Sequence, residues 1–458
     1  MQKRFLSLLF AATVIFASIF PMFLVKEQEP NLTQFKLQYF TDEVDYHNDG
    51  RISGNYDERG NFAYTLGFDN YIKYLSTFED KKEVIVAVID SGVNYQHSIF
   101  NGRLLLNQTA NNVRFITSGG QVTHTRVGQN FVGGEGTKDM NDITDENGHG
   151  THVAGTIADL TLPNVKILPL KIFGEGEDVF GFALENAIYF LTALKKQTGM
   201  NIVAVNMSLG TEPLFGTEFV KTKNDYQPLI NSLLSNNILP IVASGNGYTT
   251  GPNKGVGSSL PSIPAACDGV IAVGSIERNE KRSNFSNYGS HLSLSAPGKF
   301  IWSAWLPYDN TDAPYSKDDH TAAPTGTSMA APFVTAAYAN LMSLPDNSSV
   351  TLDDSKTQLC QSSVDIGAPG FDEQYGYGYV KLSTGDDDFS DIELPPINDD
   401  PAVNLPNIGQ QYIDEEIEEA ADEIPLFFVI SGIILLMVVV FAIQSYFTKE
   451  KEETLDGN

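Results

Sequence analysis

Residues 84–92 read Val-Ile-Val-Ala-Val-Ile-Asp-Ser-Gly: six β-branched or small apolar residues without alternation, closed by an acid, a hydroxyl and a glycine. A strand that is apolar at every position must be covered on both faces, which places it inside a parallel sheet flanked by helices. The same pattern recurs at 202–206 (IVAVN), 238–243 (ILPIVA) and 270–273 (VIAV). Between these runs Ala183, Ala187, Leu191 and Leu194 fall three or four residues apart, as on one face of a helix. Strands alternating with helices predict an α/β domain with a mostly parallel central sheet and helices on both faces. Chemistry in such sheets is expected just beyond the carboxyl ends of the strands.

The residues that follow the strands fit that expectation. Run 84–89 leads into Asp90-Ser91-Gly92, and run 238–243 into Ser244-Gly245-Asn246-Gly247. Between them stands Asn147-Gly148-His149-Gly150-Thr151-His152-Val153-Ala154-Gly155, and later comes Gly326-Thr327-Ser328-Met329-Ala330-Ala331-Pro332. Each sets a functional side chain among glycines and small residues, where the backbone turns sharply and a substrate can come close. A serine hydroxyl is a weak nucleophile at neutral pH, so Ser328 needs a base. His149 can take its proton and return it to a leaving amine, and Asp90 can fix the imidazole tautomer. Asn246 can aim an amide N–H at a developing oxyanion, with the Ser328 backbone N–H as a second donor. Taken singly these residues could be a turn cap, a loop histidine and a helix cap. Their joint occurrence in this order argues for chemistry.

Together the four stretches resemble the subtilisin-like serine proteases, the subtilase family, over roughly residues 62–384, in the Asp, His, Ser order of that family. The resemblance implies a three-layer catalytic domain and a serine endopeptidase acting on polypeptides, with Asp90, His149 and Ser328 catalytic and Asn246 in the oxyanion hole. It implies that Ser208, Leu209 and Gly210 pair with an extended substrate backbone. Ala243, Ser244 and Gly245 would form one wall of the main specificity pocket. No cofactor is needed for catalysis, and no metal ligands are assigned. A structural calcium is compatible with the family but supported by no residue set here. His152 is expected to be structural, since no third ligand accompanies it. Asp139, Asp142, Asp145 and Glu146 could surround an ion but read better as a solvated loop. Glu175, Glu177 and Asp178 lie where the far rim of the groove is expected and could favour basic residues upstream of a cut. The same residues on an inert surface scaffold or adhesion module are the alternative reading.

Two features depart from the family. Residues 26–61 are too short for the usual inhibitory prodomain, so maturation differs or this extension wraps the domain. The stretch 45–53 echoes a calcium loop, but His47 and Tyr56 break the pattern, leaving an ordinary turn. Residues 157–163 run almost directly into the next apolar segment, without the calcium-binding insertion common after this histidine motif.

The ends of the chain place it at a membrane. After Lys3 and Arg4, residues 5–25 carry no charge, the pattern of an export signal, cleaved or kept as an anchor. Residues 425–447 are again uncharged and long enough to span a bilayer as a helix. Lys449 and Lys451 follow that span, so the tail 448–458 is expected in the cytoplasm and the catalytic domain outside the cell membrane of a bacterium. Of a net charge of −28, half falls on residues 386–424, a Pro-containing stretch of 14 acids without Lys or Arg that reads as an extended linker. The organisation expected is therefore signal or anchor 1–25, extension 26–61, peptidase domain 62–385, linker 386–424, transmembrane helix 425–447 and tail. The plan of signal, protease, linker and span is similar to that of the mycosins. Such acidity disfavours nucleic acid as a partner. Cys267 and Cys360 are either one bridge or two buried thiols.

Overall fold

The computed structural model describes residues 36–39, 43–45, 68–106, 109–117, 120–126, 128–132, 141–174, 179–277, 279–306, 321–345, 347 and 350–382. The expected signal, linker, transmembrane helix and tail, and the acids Asp139, Glu175, Glu177 and Asp178, lie outside these residues. Of the extension and the calcium-loop echo, only two short strands are described. Among the described residues no helix is long and apolar enough to cross a membrane.

In chain order the strands are β1 (Lys36–Tyr39), β2 (Glu43–Asp45), β3 (Val84–Asp90), β4 (Thr109–Thr117), β5 (Gly120–Arg126), β6 (Gln129–Asn130), β7 (Val165–Lys171), β8 (Val179–Phe180), β9 (Ile202–Met207), β10 (Leu209–Gly210), β11 (Leu239–Ala243), β12 (Ile271–Ile276), β13 (Leu294–Pro297), β14 (Ser303–Ala304) and β15 (Thr321–Thr325). The α-helices are α1 (Phe68–Ser76), α2 (His149–Asp159), α3 (Gly181–Thr198), α4 (Gly216–Ser235), α5 (Thr327–Met342) and α6 (Leu352–Gln361). Seven strands form one sheet in the order β13-β12-β11-β9-β3-β7-β6, and every pair in it is parallel. The four apolar runs of the sequence are β3, β9, β11 and β12, shifted by no more than a few residues at their ends.

Alternation along β3 explains why its sequence shows none. Val84, Val86 and Val88 point into a core formed with α2 and α5, whereas Ile85, Ala87 and Ile89 point into a second core formed with α3 and α4. Both faces are dry, so both sets must be apolar. Helix α5 is buried from Thr327 to Asn340. Ala330, Ala331, Ala336, Ala337 and Ala339 let its backbone come close to its neighbours, and this brings its first turn to the carboxyl ends of β9 and β11.

Cys267 and Cys360 are separate thiols, the first buried and the second half-buried, rather than a bridge or two fully buried thiols. Burial pushes both up to about 12, so neither is a thiolate at neutral pH.

Candidate active site

Asp90 closes β3 and His149 opens α2, so one is fixed by the sheet and the other by a helix N-terminus. Their side chains are both 1% exposed and meet at 2.8 Å, Nδ1 of His149 to Oδ1 of Asp90. With the Nδ1–H donated to the carboxylate, Nε2 becomes the proton-accepting nitrogen. Gly148, just before His149, has φ +95°, and a Cβ there would lie 2.7 Å from the Trp305 ring. Only glycine makes this turn without strain.

Asp145 is not part of a solvated loop. It is buried, and its Oδ1 accepts from Ser91 Oγ (2.8 Å), Asn147 N (2.9 Å) and Gly148 N (2.9 Å). Its Oδ2 accepts from Thr151 N (2.9 Å) and Thr151 Oγ1 (2.5 Å). Ser91 Oγ in turn accepts from Gly150 N at 2.8 Å. The carboxylate thus caps the otherwise unpaired N–H groups of the α2 start and ties them to the residue after Asp90. Glu146 pairs with Lys171 (3.3 Å), and Asp142 Oδ1 accepts from Thr144 N (3.1 Å).

His152 lies one turn into α2. Its Nε2 meets the Ile301 carbonyl at 2.6 Å, and burial pushes its pKa down to about 3. It is a neutral donor, the structural role expected of it. Among the described residues no three His, Cys, Asp or Glu side chains converge on a metal-sized site.

Ser328 stands in the first turn of α5. Its Oγ donates to the Ser208 carbonyl at 2.9 Å, and Ser208 Oγ donates back to the Ser328 carbonyl at 2.9 Å. The second bond follows from Pro332, which has no N–H to give the carbonyl four residues earlier. Ser208 supplies the missing donor, held by Asn206 Nδ2 at 3.0 Å.

Asn246 follows β11. Its Oδ1 accepts from both Thr327 N and Thr327 Oγ1 at 2.9 Å, which orients the amide beside Ser328. Its Nδ2 is buried and meets no acceptor among the described residues. Ala243, Ser244 and Gly245 are buried at the end of β11, with Gly245 N donating to Thr327 Oγ1 at 3.1 Å.

The edge formed by Leu209 and Gly210 carries a strand already. β1 pairs antiparallel with β10, Gln38 opposite Gly210 and Tyr39 opposite Leu209. On its other side β1 pairs antiparallel with β8, Lys36 opposite Phe180 and Leu37 opposite Val179. β2 pairs antiparallel with β15, which runs into Gly326 and Ser328. The N-terminal extension therefore lies along the groove edge that the sequence assigned to substrate, a placement that no sequence signal within it announced.

A doubly covered parallel sheet with a buried Asp–His pair, a serine at a helix start and an unpartnered amide donor places the chain among the α/β folds that gather their polar groups at the carboxyl ends of the strands. The family follows: residues 81–378 match the Subtilase family, and the chain belongs to it. The chain is 29% identical to subtilisin DY of Bacillus licheniformis, a match covering 59% of this chain and 88% of the relative. It is 30% identical to an alkaline proteinase of Hapsidospora chrysogena, with 56% of this chain and 51% of that protein covered. The chain thus spans about half the length of some of the relatives it matches. A crystal structure of a lanthipeptide protease shares the fold, with a TM-score of 0.53 and 21% identity over 74% of this chain and 97% of that one.

Proposed function

We propose that the chain is a serine endopeptidase, held at the outer face of the cell membrane, that cleaves exported or surface polypeptides. Ser328 Oγ rotates from the Ser208 carbonyl, gives its proton to His149 Nε2 and attacks the scissile carbonyl carbon. Asp90 stabilises the imidazolium that results. Asn246 Nδ2 and the Ser328 N–H hold the oxyanion. The tetrahedral adduct collapses as His149 protonates the leaving amine, and water, deprotonated by the same histidine, then releases the acyl group. These groups carry the reaction without a cofactor.

The observation that carries the reading is the Asn246 amide. A buried donor left without a partner costs about 1–3 kcal/mol, and an inert scaffold gains nothing by keeping it. A site that stabilises a transient negative oxygen gains most from a donor that nothing else occupies. The antiparallel seat of β1 between β10 and β8 supports an extended polypeptide as substrate, because main-chain bonds there accept any sequence. The anchored location rests on the uncharged 425–447 stretch and the lysines after it. A fluorophosphonate probe tests the chemistry: labelling of the wild-type chain and none of Ser328→Ala is expected, and labelling that survives the substitution refutes the assignment. For the location, removal of residues 425–458 should shift the protein from the membrane fraction to the soluble one.

A further inference from the structure

Asn287 lies outside every motif of the sequence, beyond β12 and between Ser286 and Tyr288, yet the loop that carries Asn246 hangs on it. Its side chain is fully buried. Oδ1 accepts from Gly247 N and Ser258 N, both at 2.9 Å. Nδ2 donates to the Ser244 carbonyl and to Ser262 Oγ, both at 3.1 Å. The Asn287 backbone N–H donates to the Gly245 carbonyl at 2.8 Å, and its carbonyl accepts from Ser244 Oγ at 3.2 Å. One residue thus grips Ser244, Gly245 and Gly247, on both sides of Asn246.

The loop needs such a template. Gly245 has φ +105° and Gly247 φ +74°, left-handed conformations that a glycine-rich loop visits among many others. Gly245 packs so tightly on Asn287 that a Cβ would sit 2.4 Å from Asn287 Nδ2. Thr327 orients the Asn246 side chain but touches the loop backbone only at Gly245 N.

We propose that Asn287 is a positioning residue for catalysis: through Ser244, Gly245 and Gly247 it fixes the backbone from which Asn246 reaches the oxyanion. The role calls for a neutral carboxamide, which offers two donors and two acceptors in one plane. An aspartate would keep the bonds to Gly247 and Ser258 but lose both donations. It would also face the Ser244 carbonyl with a negative charge close to where the oxyanion forms.

The inference rests on Asn246 being an oxyanion donor, and a double-mutant cycle separates the two claims. With a peptide substrate, Asn287→Asp is expected to lower kcat about 10- to 100-fold with KM changed by less than about threefold, as for a misplaced catalytic group. In an Asn246→Ala background the same change should cost less than about twofold, because the group it positions is gone. If the losses multiply, or fall on KM, Asn287 is a structural residue only and the proposal fails. If Asn246→Ala alone leaves kcat unchanged, the oxyanion assignment fails instead. Should Asn287→Asp not fold, Ser262→Ala removes a single partner of Nδ2. It is expected to lower kcat about two- to threefold in the wild type and not at all in Asn246→Ala, and equal losses in both would overturn the proposal.

Discussion

The two helix starts that meet at the site are held in different ways. At α2, which carries His149, a buried carboxylate does the work: Asp145 gathers three backbone N–H groups and two hydroxyls. At α5, which carries Ser328, every holding group is neutral: Asn246, Thr327, Ser208 and, behind them, Asn287. In the proposed mechanism the imidazolium formed at His149 is positive, so a fixed negative charge a few residues away is compatible with it. The charge proposed to form at Ser328 is negative, and a carboxylate there would oppose it. On that reading the serine side uses amides and hydroxyls and keeps one donor for an acceptor that the reaction supplies.

That contrast is broken most sharply at Asn246. Asn246→Ala removes the waiting donor and leaves the α2 network intact, so kcat should fall about 100- to 1,000-fold with KM little changed. Steady-state kinetics on a peptide substrate measures this, and a loss borne by KM would assign Asn246 to ground-state binding instead.

On the histidine side the corresponding change is Asp145→Asn. It removes the charge and replaces one accepting oxygen by a donor facing Ser91 Oγ or Thr151. A lost charge-assisted bond and an unmatched buried donor together are worth about 2–3 kcal/mol. The variant should therefore melt at lower temperature and lose roughly 10- to 100-fold in kcat as the imidazole loosens. A variant that kept both its melting temperature and its kcat would show that the charge at Asp145 is dispensable and would erase the distinction drawn between the two helix starts.

How legible each side was in the sequence follows from the range over which its parts act. Asp90, His149, Asn246 and Ser328 sit at the ends of apolar runs or in glycine-rich turns, and their neighbours in sequence announce them. Asp145 was visible as an acid four residues before His149 but read as exposed, because a charge suggests solvent; only the converging N–H groups show why it is buried. Asn287 could not be found at all, since its partners between Ser244 and Ser262 are brought to it by the fold. The sheet divides the same way. The central strands β3 and β11 are apolar over nearly their whole length and legible, whereas β13, with serine at its second position, and two-residue β6 at the other edge carry no such pattern.

The two sides also share a sensitivity that separates them in pH. His152, on α2, is held neutral by burial with a pKa near 3, partly offset by its bond to Ile301; His291, beyond β12, is pushed by burial to about 4. Both lie below the unfolded value of about 6.5, so the unfolded chain binds protons that the native chain refuses. Their contribution to stability is complete above about pH 6.5 and is lost as the pH falls toward 4 and then 3, by up to about 1.4 kcal/mol per pH unit for each. Denaturation midpoints between pH 7 and 4 should therefore fall steeply. His152→Gln should flatten the slope by up to about half, and an unchanged slope would show that the histidine side does not contribute.

The smallest effect expected concerns the groove between the two helix starts. β1 occupies the edge of β10, and β2 pairs with the strand leading to Ser328, so under the proposed function the extension and an incoming polypeptide would compete for the same main-chain groups. Competition within one chain raises the apparent KM to its intrinsic value divided by the fraction of time the strand is unseated. It leaves the chemical step alone once substrate is bound. Removing residues 26–45 should lower KM about three- to tenfold with kcat unchanged. A synthetic peptide of residues 34–46 added back should inhibit competitively. A fall in kcat on truncation would mean instead that β2 supports the turn into Ser328, placing the extension with the neutral scaffold of the serine side rather than with its ligands.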